Sequence, residues 1–72
     1  MKEIRTEMAA SVFRVQAVAG DQVGPDDVLV VLESMKMEIP VLADYAGRIA
    51  EIVVVVGDIV DEGAVIARID QA

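Results

Sequence analysis

IAEIVVVV, residues 49–56, is the stretch that decides between helix and strand for this chain of 72 residues. β-Branched side chains are stiff at χ1 and pack well on a pleated surface, so a run this rich in Ile and Val reads as a strand. The segment TEMAASVFRVQAVA, residues 6–19, is less clear by itself, because Met8, Val12, Val15 and Ala19 fall near helical spacing. An internal repeat removes the ambiguity. Setting Gly20-Asp21 on Gly57-Asp58, an offset of 37 residues, superposes the two halves without a gap. Val18, Val23 and Val28 then fall on Val55, Val60 and Val65, and Val12, Val15, Leu29 and Leu32 fall on Ile49, Ile52, Ile66 and Ile69. Equivalent units share a fold, so both halves are read as strands. Two copies are too few for a solenoid, and a small domain with internal pseudo-two-fold symmetry follows.

The expected strands lie at 4–8, 11–18, 28–34, 37–42, 48–56 and 64–70, with short extended pieces at 22–23 and 59–60. Between them, Gly20-Asp21, Gly24-Pro25-Asp26-Asp27, Gly57-Asp58 and Asp61-Glu62-Gly63 carry turn chemistry. The expected class is all-β, and with no flexible linker in the composition, residues 1–72 are read as one domain. In the long strand of the second half, Glu51 is expected to face outward, as is its equivalent Arg14. Ile52, Val54 and Val56 then point inward while Val53 and Val55 face out.

Composition bounds the function. The chain is 56% hydrophobic and 26% charged, with fourteen Val and seven Ile against three Leu. It contains no cysteine or histidine, so neither a disulfide nor a typical zinc site supports so small a core, and no metal is expected. A formal net charge of -7 argues against a nucleic-acid surface or a polybasic membrane patch. The longest uninterrupted aliphatic runs, 28–32 and 52–56, are far below the roughly 18 to 20 residues of a membrane span. The first eight residues, MKEIRTEM, lack the pattern of a signal peptide, and the expected location is the cytoplasm.

ESMKMEIP, residues 33–40, links the two halves and places Lys36 at the tip of a hairpin. The apolar run 28–32 leads in and 39–42 leads out. The Asn-Gly or Asp-Gly of a tight two-residue turn is missing, and places where turn rules are broken are often functional. An exposed lysine is usually no more than a solvated surface residue. Its neighbours change that reading, because Met35 and Met37 flank a tip and not a buried face. Glu33 and Glu38 are the nearest carboxylates, yet no histidine accompanies them for acid/base work.

The string resembles the biotin attachment motif of biotin carboxyl carrier domains, and the resemblance extends from about Met8 to Ile69 through the Gly-Asp turns and the second half. It implies a flattened barrel, the barrel-sandwich hybrid, of two four-stranded antiparallel sheets with biotin joined to Lys36 through an amide. It further implies a non-catalytic carrier, modified by a biotin protein ligase and serving two partners. Biotin carboxylase loads a carboxyl group onto the biotin, and carboxyltransferase passes it to an acceptor such as an acyl-CoA. Met35 and Met37 match the flanking methionines, and Glu33 and Glu38 are assigned to ligase recognition.

Departures from the family pattern are local. Met8-Ala9-Ala10 replaces the common Met-Pro-Gly, with Gly47 retained in the second half. The protruding thumb of some bacterial acetyl-CoA carboxylase carriers is missing. So is an Ala/Pro-rich N-terminal linker, so that the chain resembles a free-standing biotinylated protein, although a piece trimmed from a longer chain would read the same. Three alternatives remain. A lipoyl carrier has a similar fold but usually shows Asp-Lys-Ala at the tip. An unmodified structural barrel module, as in efflux membrane fusion proteins, carries a long helical insertion between its halves. An enzyme with a Schiff-base lysine needs a desolvated pocket that a hairpin tip does not provide.

Overall fold

The computed structural model describes residues 1–71. Eight strands follow one another: β1 (Lys2–Arg5), β2 (Ala10–Val15), β3 (Gln22–Val23), β4 (Val28–Ser34), β5 (Met37–Leu42), β6 (Gly47–Ile52), β7 (Ile59–Val60) and β8 (Val65–Gln71). They form two four-stranded sheets, ordered β1-β8-β6-β3 and β5-β4-β2-β7, with every pairing antiparallel. Fully buried Leu29, Val30, Leu32, Ile49, Ile66 and Ile69 fill the core. The β-branched bias of the sequence has become two apolar inner faces.

The 37-residue repeat is a structural two-fold, because the offset carries β5, β4, β2 and β7 onto β1, β8, β6 and β3. Each Gly-Asp turn is bonded to the long strand of the other half. Gly20 N donates to Ile49 O at 2.8 Å and Ile49 N to Asp21 O at 2.9 Å, while Gly57 N donates to Val12 O at 2.9 Å and Val12 N to Asp58 O at 2.8 Å. Both glycines have φ +98°, a conformation that a Cβ makes costly. The bulges repeat as well, between Val12 and Arg14 in β2 and between Ile49 and Glu51 in β6.

Several strand bounds shift by a residue or two, but three strands stop well short of expectation, for local reasons. β1 stops at Arg5 because the buried Thr6 hydroxyl closes a loop, donating to Met8 O at 2.8 Å and accepting from Met8 N at 3.2 Å. β2 ends at Val15, where Gln16 N and Ala17 N both turn to Leu29 O. β6 ends at Ile52 in the same way, Val53 N bonding Ile66 O. Beyond these ends, Asp21 and Asp58 Oδ2 each accept from a main-chain N–H, Val18 and Val55, at 3.0 Å, so the turns override the β propensity of the run before them. Alternation therefore lapses after Ile52. Glu51, Arg14, Val53 and Val55 are exposed and Val54 is buried, as expected, but Ile52 is only half-buried and Val56, expected inside, is 63% exposed.

Gly47 and its repeat partner Ala10 explain a departure noted in the sequence. β6 stays paired with β8 as far as Gly47 and Gln71, and a Cβ on Gly47 would overlap the carbonyl of Asp70. β2 pairs with β4 only from Ser11 and Glu33 onward, because β4 continues into the hairpin. Ala10 is tolerated there.

The outer faces of the sheets diverge. Arg68 pairs with Glu51 at 2.6 Å and with Glu3 at 3.4 Å, and Glu3 also meets Arg5 at 2.6 Å. At the positions equivalent to Arg68, Glu51 and Glu3, the hairpin sheet has Val31, Arg14 and Pro40. The Arg5 guanidinium, with help from Arg68, holds the Glu3 carboxyl below its ordinary value of 4.5. A depressed folded pKa adds stability that is present above the unfolded value and lost as pH falls through the folded one. Glu3→Gln should therefore lower the thermal midpoint at pH 7, and the gap to wild type should close on acidification below about pH 4. Thermal melts across that range check it, and an unchanging gap would contradict it.

Candidate functional site: the β4–β5 hairpin tip

β4 lies inside its sheet, anchored by Leu29, Val30 and Leu32 in the core, so the hairpin rises from a firm base. Ser11 Oγ donates to Glu33 O at 3.3 Å and fastens the neighbouring β2 to it. Ser34 and Met37 form the last pair of the ladder, which leaves Met35 and Lys36 as a two-residue turn. Their φ values are +52° and +65°. Positive φ at both central residues is the type I′ pattern, which matches the strand twist and is normally made by Asn-Gly. A non-glycine residue in that region costs on the order of 1–3 kcal/mol, a strain located at the very residue the sequence singled out.

Lys36 is exposed, and among the described residues no carboxylate lies within 4.0 Å of its amine. Met35 is 92% and Met37 65% exposed, so both stand in water as expected of tip residues. Glu33 and Glu38 are register partners, both exposed. Like charges directly opposite one another are destabilising, and Arg14, 3.8 Å from Glu38, offsets only part of this. The hairpin thus brings together all five residues: one free amine, two apolar flanks and an acidic base. An amine so displayed can form an amide with a carboxylic acid activated on another protein, and a covalently carried group would meet no obstruction at the tip.

The sequence did not reveal the surroundings of the tip. A cleft of about 230 Å³ runs between β1 and β5, an edge strand from each sheet, lined by Thr6, Met8, Leu32, Ile39 and Pro40 among others. A second, shallower apolar groove lies where Val15, Ala17, Val18 and Ala19 meet their equivalents Ile52, Val54, Val55 and Val56. It sits on the internal two-fold, and only the exposed valines hinted at it. No helix among the described residues is long and apolar enough to cross a membrane.

Comparison with known proteins places this geometry. The biotinylated protein TB7.3 homolog of Mycobacterium leprae is 53% identical over 68 residues, which cover 94% of this chain and 96% of that protein. A biotin/lipoyl attachment protein of Bacillus subtilis is 38% identical over 69 residues, covering 96% and 94%. Among solved structures, the urea carboxylase of Kluyveromyces lactis contains a region that superposes with a TM-score of 0.91 at 29% identity, covering 96% of this chain and 6% of that one. The family model described as biotin-requiring enzyme matches residues 2–69, nearly the whole of both repeats and the tip between them. With two four-stranded sheets joined by a lysine-bearing hairpin, the chain belongs to that biotin-requiring family of biotin/lipoyl attachment domains.

Proposed function

We propose that this protein is a biotin carboxyl carrier acting in the cytoplasm, with Lys36 as its single attachment site. The observation that carries the reading is the two-residue turn: Lys36 stands at positive φ between two exposed methionines, itself exposed and, among the described residues, without a carboxylate within 4.0 Å. Attachment requires the neutral amine as nucleophile, and the biotin protein ligase supplies the base that takes its proton. The Nζ lone pair attacks the carbonyl of biotinyl-adenylate, the amide C–N bond forms, the C–O bond to AMP breaks, and the amine proton passes to a base of the ligase. Met35 and Met37 offer flexible apolar contacts to the ligase. Glu33 and Glu38 offer it a carboxylate pair whose mutual repulsion a basic surface would relieve.

Once attached, biotin supplies a ureido nitrogen that accepts a carboxyl group at biotin carboxylase and gives it up at carboxyltransferase. The chain's own part is to hold Lys36 at a fixed tip and so raise the local concentration of the cofactor at both centres. It catalyses neither step. A lipoyl carrier is the alternative, against which stands Met-Lys-Met in place of Asp-Lys-Ala. Incubation with biotin, ATP and a biotin protein ligase, followed by intact mass measurement, tests the proposal. One biotin per chain, followed by ATP-dependent uptake of labelled bicarbonate with biotin carboxylase, is the expected result. A chain that gains no mass from biotin but accepts lipoate would overturn it.

A further inference from the structure

The internal two-fold supplies a control for the cleft beside the hairpin. Toward the tip the cleft is lined by Met8, Leu32 and Ile39. Their equivalents at the opposite end are Tyr45, Ile69 and Lys2. There the half-buried Tyr45 ring packs on the core, with Lys2 Nζ 5.6 Å from its centroid. A flat ring under a polar cap thus occupies one copy of the site, while in the copy beside Lys36 the smaller Met8 leaves the space open.

We infer that the open cleft is a resting site for the bicyclic ring of the chain's own biotin, an inference that rests on Lys36 being the attachment residue. The reach is sufficient. Ile39 lies three residues beyond Lys36 on the same hairpin arm, about 10 Å at ~3.3 Å per residue. The lysine and valeryl chains together place about eleven single bonds of roughly 1.5 Å between the backbone and the ring, which exceeds that span even in a zigzag. The chemistry is complementary too. β1 and β5 are each an edge strand of their sheet, and edge strands present unpaired N–H and C=O groups, the partners that a cyclic urea with two donors and one acceptor needs. The Met8 thioether and the Ile39 side chain offer soft apolar contact to the thiophane ring. Thr6 holds Met8 in place through its two hydrogen bonds. A resting ring is withheld from water between visits, and a partner enzyme must draw it out.

Amide spectra of ¹⁵N-labelled apo and biotinylated protein test this without reference to activity. Biotinylation should shift Thr6, Met8, Ile39 and Val41 while leaving Lys2, Tyr45 and Ile69 unmoved, and changes confined to residues 34–38 would overturn the inference. Met8→Tyr, copying the closed end, should abolish the distant shifts. It should also speed streptavidin capture of the biotinylated protein: a ring resting three-quarters of the time binds at about one quarter of the free rate, so closure gives roughly a fourfold gain. Equal capture rates in a folded Met8→Tyr protein would likewise refute the resting site. The wild-type spectra decide the matter if that variant does not fold. Intact mass separates the two levels: biotin taken up by Lys36→Arg would defeat the attachment reading, whereas biotin on Lys36 with no distant shift defeats the cleft alone.

Discussion

Lys36→Arg, expressed with a biotin protein ligase, should gain no mass and bind no streptavidin, while Lys2→Arg should be biotinylated as fully as wild type. The chain has no other lysine, so the pair of variants is a complete test. Arginine keeps the positive charge and tolerates an exposed turn, but its guanidinium is protonated at any accessible pH and is no nucleophile toward the adenylate. The loss should therefore be total and not graded. Biotinylation of wild type should also move the formal net charge from -7 to -8, because the amide removes one cation. Native gels or isoelectric focusing read that step. Retained labelling in Lys36→Arg would mean that the exposed tip is not the site.

Ile69→Ala should be strongly destabilising. Ile69 is fully buried, belongs to the sheet that lacks the hairpin and lies opposite Ile49 in the ladder. Removing its side-chain carbons leaves a cavity that costs about 2 to 5 kcal/mol. For a domain of this size each kcal/mol lowers the thermal midpoint by about 4–8 °C, so a fall of at least roughly 8 °C is expected. Ile52, which alternation alone makes a core residue, is half-buried and should cost less. Lys36→Leu should barely move the midpoint, since exposed substitutions usually fall within about 0.5 kcal/mol, yet it should carry no biotin if Lys36 is the attachment site as proposed. Wherever Ile69→Ala still folds, its hairpin should accept biotin normally. Melts run beside biotin incorporation test the separation, and a Lys36→Leu protein melting many degrees lower would make the lysine structural.

The fold was legible because the repeat is strong. The ambiguous helical spacing at Met8 to Ala19 had to agree with the clear β-branched run at residues 49–56, and only strands satisfied both. What composition missed were ends set by single side chains: Thr6 closing β1, and Asp21 and Asp58 each catching an N–H three residues upstream. Val56 went astray for that reason, since a strand period carries no notice of a turn that cancels it. The tip was legible from ESMKMEIP, but its handedness was not, because nothing in Met-Lys announces two positive φ values. Clefts on the internal axis arise from residues 37 apart, and Met8 gains meaning only when set against Tyr45.

The left-handed turn at Met35-Lys36 also marks a conflict between durability and use. If heat resistance were the sole selective pressure, this position would drift toward Asn-Gly, the pair that relaxes the backbone, and each step in that direction would harden the barrel while discarding the lysine proposed to carry biotin. Libraries screened for thermal tolerance alone should accumulate inert survivors with changes at these two codons. Adding a streptavidin sort to the same screen should hold the lysine in place and push compensating substitutions into the far sheet.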